Sequence, residues 1–542
     1  AVAAVLTAVM VASMFTGCGS DNGSSSAKSA SAASAASAAN DTVDEDGKVN
    51  GIMYQEGLPL VDEGDYTFSI FCDDSSESGE FIMLDEFKKQ TNVDVDLKIY
   101  PYETATERLN LDLNSGDYAD VIGGWTLSDN AILTYGVNQG VFIPLEDYFE
   151  KYCPNISAIL DLPGVREKMT APDGHIYTIP YVCTDTTVGY SPYINTKWLE
   201  NVGMSMPTTT DEFEAVLKAF KEQDANGNGD ASDEIPFSTD PNNKHIEAMA
   251  GYFGLPMNKL GIAIQNEKVV YGGVSDTYRE FLSWFHKLYA EGLVDVELYT
   301  QDSSTWEGKG NQDLYGVSIA YGSNEFTGIP AAEERGDFDS MPVLNTDKDG
   351  IWLRDTEGFS VYRTQAVITN KAEHPEIICR WFDNAFALEN GIGCNRGPVG
   401  VIVNKEDDGY HAIDTTTLSE EDQEKYSWGN LWPQSLPKYL PVDFEFVEEH
   451  PMYDEKKATE EAYEANLTKE IIPSYWIDLD KIDTFSDTNT AIKDFFEQQQ
   501  AQFVCGELDI DNDADWQAYV DGMYSLGLED WVATQGIEEI AK

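Results

Sequence analysis

Basic residues are scarce in this 542-residue chain: 34 Lys and Arg stand against 97 Asp and Glu, a formal net charge of -63 at pH 7. Such a body repels a phosphate backbone and an anionic membrane surface, so a nucleic-acid partner is excluded as the basis of function. Histidine is sparse too. The six, His175, His245, His286, His374, His411 and His450, are dispersed and form no H-E-x-x-H, which argues against a zinc hydrolase. No Gly-x-x-x-x-Gly-Lys phosphate cradle and no Gly-x-Ser-x-Gly nucleophile elbow occurs. Among the seven cysteines there is no C-x-x-C pair. Several lie in apolar runs and read as small buried hydrophobes, their pairing left open. A glycoside hydrolase would need only two carboxylates, but with 97 acids such pairs arise by chance and none is singled out. The expectation is a protein that is not an enzyme.

Long apolar runs are also absent, save one. Ala1 to Phe15 carries no charge and has the length of a signal-peptide core, short for a membrane span. It ends in Phe15-Thr16-Gly17-Cys18, which resembles a bacterial lipobox. Residues 1–17 therefore read as a lipoprotein signal peptide, truncated at its basic start, and Cys18 as the lipidated residue. Residues 18–50 read as a Ser/Ala linker too poor in large apolar groups to fold, with a reach on the order of 30 Å. This predicts a body tethered to the outer face of the bacterial cell membrane.

What is abundant is aromatic: Phe, Trp and Tyr make up 12% of the chain. From Tyr66 onward about 480 residues remain, too many for one core, so two or three lobes are expected. Tyr66 to Cys72 reads as a strand, Phe81 to Phe87 has helical spacing, Val93 to Ile99 alternates as a strand, Thr104 to Leu113 reads as a helix, and Ala119 to Ile122 as a strand running into Gly123-Gly124-Trp125. The alternation predicts an α/β architecture of mostly parallel sheets, with ligand-contacting loops at the strands' carboxyl ends. Asp73 and Trp125 fall there. The grammar repeats with helices at Thr210 to Phe220 and Val274 to Tyr289 and a strand at Gly316 to Ala320; Ala458 to Lys542 is mainly helical in pattern.

Several segments together resemble the family 1 extracellular solute-binding proteins of ABC importers, in particular lipoproteins of Gram-positive bacteria and their relatives that bind alginate oligosaccharides. They are Tyr177 to Tyr181 leading into Tyr190 to Trp198, Pro207 to Phe213, Asp224 to Pro236, Lys309 to Asp313, Ile368 to Lys371 with Pro375 and Arg380 to Asp383, and the ending around Ala501 to Gly506 and Trp516 to Gly527. The resemblance implies a two-lobe fold of the type II binding-protein class whose chain crosses between lobes several times. It assigns 66–187 plus 358–392 to an N-terminal lobe and 188–357 plus 393–542 to a C-terminal lobe. It also implies capture of a carbohydrate between them by a monomer and delivery to the permease subunits of an importer. A sugar-presenting sensor would share the fold, and a carboxylate-pair glycosidase is the enzymatic alternative.

Asp224, Asn226, Asn228, Asp230 and Ser232 occupy positions one, three, five, seven and nine of a loop with Gly229 at six, the donor spacing of an EF-hand. Ile235 stands at position twelve, so the closing ligand falls to Asp233, Glu234 or both, as in the family's own calcium loop. A structural Ca²⁺ is expected. For a sugar, which offers apolar faces and a hydroxyl rim, the candidates are Asp73 and Trp125, Asp185 and Tyr190 near the first crossing, Trp306, Tyr321 and Asn324 in the second lobe, and Arg396, Trp428 and Trp432 from late crossings. A neutral oligosaccharide is the preferred ligand, although Arg354, Arg363 or Arg396 could override the long-range field.

Overall fold

The computed structural model describes residues 41–541 apart from 75–79, 241–244, 329–335, 414, 442–443, 445 and 448–450. Cys18, the signal segment and most of the linker lie outside the described residues.

Two sheets organise the body. The first runs in the order Val93–Tyr100, Tyr66–Asp73, Val121–Gly123, Phe359–Ile368, Thr178–Thr184. Its first three strands are parallel, and Phe359–Ile368 inserts antiparallel to both neighbours. Alternation along Tyr66–Asp73 sends Phe68, Ile70 and Cys72 into one core and Phe71 into another on the opposite face, where it meets Ile122 and Val367. A strand buried on both faces reads as an almost unbroken apolar run, which is what the sequence shows there.

The second sheet has the order Phe338–Ser340, Ser191–Asn195, Tyr315–Ala320, Ile235–Thr239. Only Tyr315–Ala320 with Ile235–Thr239 is a parallel pair; the others are antiparallel. The sheets are therefore mixed rather than mostly parallel: Phe359–Ile368 returns to the first sheet after the chain has built the second, and Ser191–Asn195 lies antiparallel to both its neighbours in the second. The amphipathic helices Thr210–Glu222 and Asp276–Ala290 bury Phe213, Val216, Leu217 and Phe220, and Phe281, Leu282 and Phe285, in the second core.

Two boundaries drawn from the sequence are corrected. Val49, Met53, Leu60 and Val61 are fully or almost fully buried in the first core, so the folded body begins before Tyr66 and the linker ends before 50. Cys394, Trp432 and Leu436 also lie in that core, so the segment from 393 to about 440 belongs with the first lobe rather than the second. Trp432 stacks on Trp381 at 5.7 Å and tilts against Phe87 at 5.1 Å, contacts no local pattern reveals. Beyond it, helix Pro451–Tyr463 carries Tyr463 into the second core. The chain then touches the first lobe again, Ile477 and Ile482 packing on Leu133, before helix Ile482–Cys505 returns to the second core through Ile492, Phe496 and Phe503. The six described cysteines are free thiols, four of them buried.

Candidate ligand-binding site

The wall contributed by the first sheet is built around a glycine. Strand Val121–Gly123 runs into Gly124 at φ +134°, and a Cβ there would lie 2.2 Å from Asp73 Oδ1. Only glycine lets the backbone pass. Asp73 is fully buried and its carboxylate accepts the N–H groups of Trp125 at 3.0 Å and Thr126 at 2.6 Å, while burial raises its pKa. Asp73, a sugar-contact candidate from the sequence, holds the loop that carries Trp125, which is left 47% exposed. Tyr362 meets it edge-on at 5.2 Å and Tyr181 at 6.4 Å, and these two rings stack at 5.5 Å.

Asp185 ties this wall to the facing one. Its Oδ2 accepts from Ser360 Oγ at 2.5 Å and Tyr362 OH at 3.3 Å, and its Oδ1 from Thr186 N at 2.8 Å and Tyr321 OH at 3.2 Å. Tyr321 follows strand Tyr315–Ala320, and Lys456 Nζ lies 3.7 Å over its ring while donating to Gly189 O at 2.9 Å. Burial holds that ammonium down to about 8. Tyr190 stacks face to face on His245 at 4.0 Å and meets Tyr321 edge-on at 6.0 Å. The His245 Nε2 is buried without a hydrogen-bond partner, and burial lowers that imidazole to about 4, so it is neutral. Asp355, exposed at the crossing, accepts Gly189 N at 2.7 Å, and Glu325 accepts Tyr321 N at 2.9 Å; burial pushes the Glu325 carboxyl up to about 7. Asn324 opens the short helix Asn324–Thr327 at the same strand end.

This is a pair of aromatic walls joined by a hydrogen-bonded acid, at the point where the chain passes from one sheet to the other. The profile of the bacterial extracellular solute-binding protein family matches residues 74–391, more than half of the chain. The chain belongs to that family. Among curated relatives it is 33% identical over 335 residues to the fructooligosaccharide ABC transporter substrate-binding protein FusA of Streptococcus pneumoniae serotype 4, covering 60% of this chain and 61% of that one. It is 28% identical over 280 residues to the lipoprotein LipO of Bacillus subtilis, covering 50% and 52%. The matches thus span about half to three fifths of these relatives' length. In structure it is similar to S. pneumoniae FusA in complex with kestose, with a TM-score of 0.76 and 26% identity over 86% of this chain and 98% of that one. It shares the fold of the alginate-binding protein AlgQ2 without calcium ion, with a TM-score of 0.70 and 22% identity over 89% and 99%. No described helix is long and apolar enough to cross a membrane.

The remaining site candidates of this solute-binding protein divide sharply. Trp125, Asp185, Tyr190 and Tyr321 form one constellation. Trp306 does not join it: only 3% exposed, it packs among Tyr193, Tyr315, Phe326 and Phe338 and spends its indole N–H on Ser318 Oγ. Trp432 is fully buried, its N–H donated to Leu436 O. Neither can offer a ring face to a ligand. Trp428, four residues from Trp432, is 54% exposed and lies over the buried Lys438, whose Nζ is 5.3 Å from the ring and donates to Gln434 Oε1. Arg396, half-buried, donates to Asn395 O and faces Phe446 at 5.8 Å. Tyr181, Tyr362, His245 and Lys456 were missed by sequence reasoning. Tyr181 and Tyr362 read as ordinary strand aromatics, and their signal was their place beside the crossings.

The acidic loop from Asp224 to Glu234 folds on its own side chains. Asn228 N donates to Asn226 Oδ1, Asp230 N to Asn228 Oδ1 and Gly229 N to Asp224 Oδ2, with Gly227 and Gly229 in the left-handed region. Asp233 accepts from the amides of Asn226 and Asn228. Glu234 Oε1 accepts Ala225 N at 2.8 Å, and burial raises its pKa. Asp224 Oδ1 and Glu234 Oε2 are buried with no hydrogen-bond partner.

Proposed function

We propose that this protein captures an oligosaccharide between its two lobes and presents it to the permease of an ABC importer. The observation that carries the reading is the pair of aromatic groups at the crossing, Trp125 with Tyr181 and Tyr362 from the first sheet and Tyr190, His245 and Tyr321 beside the second, bridged by Asp185. Sugar rings need flat apolar faces to stack on and polar groups for their rims, and this cleft supplies both. Closure on ligand is a hinge motion about the crossings, which gives a permease two shapes to distinguish. The fructooligosaccharide-binding name of one relative and the kestose in its structure support the substrate class. Titration calorimetry against an oligosaccharide panel tests it: one sugar binds with a raised melting temperature and is recovered uncleaved. If none binds, or if the bound sugar is hydrolysed, the reading fails.

The same reading includes a structural Ca²⁺ held by Asp224, Asn226, Asn228, Asp230 and Glu234, with Asp233 oriented by the two asparagine amides. The inward oxygens of Asp224 and Glu234 suit a hard cation, which would fill the place that hydrogen-bond donors leave empty. It further includes a lipid on Cys18 that keeps a monomeric binder at the outer face of the membrane. Cys18→Ser in the native host should release the protein into the medium; retention in the membrane fraction would refute the anchor.

A further inference from the structure

Beyond the constellation around Asp185, the segment from Trp428 to Lys438 is built onto the same edge of the first sheet. We infer that Trp428 is a second stacking platform beside Trp125, and that it makes the site select oligosaccharides by length; the inference rests on the sugar-binding reading above.

Two neighbouring acids hold two tryptophan loops. Strands Tyr66–Asp73 and Val121–Gly123 are parallel and leave the sheet at one edge, to which the antiparallel pair Phe359–Ile368 and Thr178–Thr184 brings Tyr362 and Tyr181. At that edge the Asp73 carboxylate accepts the N–H groups of Trp125 and Thr126, while the Asp73 carbonyl accepts Ser435 Oγ. Asp74, 3% exposed, accepts Gln434 N at 2.7 Å. Gln365 closes the frame: its carbonyl accepts Gly124 N at 2.8 Å and its side-chain amide donates to Ser435 O. Leu436 lies so close that a Cβ on Gly123 would stand 2.3 Å from Leu436 Cδ2. The two loops share one footing.

Gln434 carries that footing to Trp428. Its side-chain nitrogen donates to Trp428 O at 2.8 Å and Trp432 O at 2.9 Å, and its side-chain oxygen accepts Lys438 Nζ at 2.6 Å. Lys438, 2% exposed, sets its Nζ 5.3 Å from the centre of the Trp428 ring. The ring is thus held against a buried cation, yet 54% of Trp428 stays exposed. Single exposed apolar residues are ordinary on a protein surface; what distinguishes this one is a buried polar frame that fixes it and Trp125 through adjacent residues of one strand end. A ring fixed beforehand needs little ordering on binding, so a sugar unit that reaches it should tighten binding at least about tenfold. A sugar chain too short to reach beyond Trp125 gains nothing from it.

Calorimetry with two length series decides the matter: sucrose, kestose, nystose and fructo-nystose, and maltose through maltopentaose, each against wild type, Trp428→Ala and Trp428→Phe. In a series that binds, the longest member should bind wild type at least about tenfold tighter than the shortest. Trp428→Ala should cut that ratio at least about threefold, and Trp428→Phe, which keeps a ring to stack on, should fall between the two. A wild type that binds long and short members alike, or a ratio that Trp428→Ala leaves unchanged, overturns the inference while the sugar-binding reading stands. Binding of no member of either series sinks that reading, and this inference with it.

Discussion

Replacing Asp73 by alanine is the sharpest test of how the first wall is built. The side chain is fully buried and its carboxylate accepts two backbone N–H groups, those of Trp125 and Thr126. Removing it leaves two donors without an acceptor, each costing about 1–3 kcal/mol when buried. Part of that is returned because folding no longer desolvates a carboxylate, the cause of this group's raised pKa. A net loss of about 3 kcal/mol follows, or roughly 5–10 °C in the melting of a lobe of this size. The functional effect should be larger than the stability effect suggests: with its loop untethered, Trp125 no longer presents a fixed ring, and sugar affinity should fall at least about tenfold. Asp73→Asn keeps one acceptor and should be intermediate. Differential scanning fluorimetry and calorimetry on folded protein give both numbers. A melting temperature within about 1 °C of wild type together with affinity within about twofold would refute the positioning role.

Other outcomes follow from the same structure. Trp432→Ala should destabilise the first lobe by about 3–5 kcal/mol through loss of core packing, whereas Trp428→Ala should cost about 1 kcal/mol or less in urea titrations; equal losses from both would contradict their burial. Arg363 pairs with both oxygens of Asp129, donates to the carbonyls of Ser474 and Tyr475 and lies 4.2 Å over Trp476, so Arg363→Ala should cost about 3–5 kcal/mol and expose the 474–476 segment to proteolysis. Asp383, held up to about 6 by burial although Ile156 N and Asn155 donate to it, makes stability pH-dependent. Since its folded pKa lies above the unfolded carboxylate value of about 3.9, its contribution is greatest below pH 4 and is lost as pH rises through 6. Relative to Asp383→Asn, the wild type should lose on the order of 2–3 kcal/mol between pH 4 and pH 7 in urea titrations; a flat difference would show that the carboxyl is not shifted. A chelator should lower the melting temperature of wild type and leave Glu234→Gln unaffected; an unchanged wild type would remove the calcium reading.

Much of the architecture was legible because it is written in short-range pattern. Thr210 to Glu222 repeats apolar residues at helical spacing with Thr209 as N-cap, and the structure ends that helix two residues beyond the expected Phe220. The donor spacing of Asp224 to Glu234 could be read one residue at a time. The constellation around Asp185 was only half legible. Trp125 was found from the two glycines before it, and Asp185, Tyr190 and Tyr321 from their places at a crossing and a strand end. Trp306 satisfied the same criterion and proved to be core, because Phe326 and Phe338, which cover it, come from elsewhere in the chain. Lys456 and Tyr362 were missed since each reaches Tyr321 or Asp185 only after the chain has left a lobe and come back.

By itself the sequence determined the alternation of strands and helices, the large excess of acidic over basic residues, and a family-like order of segments, all of which can be read without knowing what packs against what. The tertiary structure decided which aromatic faces remain open. Trp428 and Trp432 stand in one short motif with the same local chemistry, yet one is 54% exposed and the other fully buried. The difference comes from residues distant in sequence, Trp381 and Phe87 among them, whose rings pack against Trp432. Whether a ring binds a sugar or fills a core is set by what packs against it, and no local pattern encodes that.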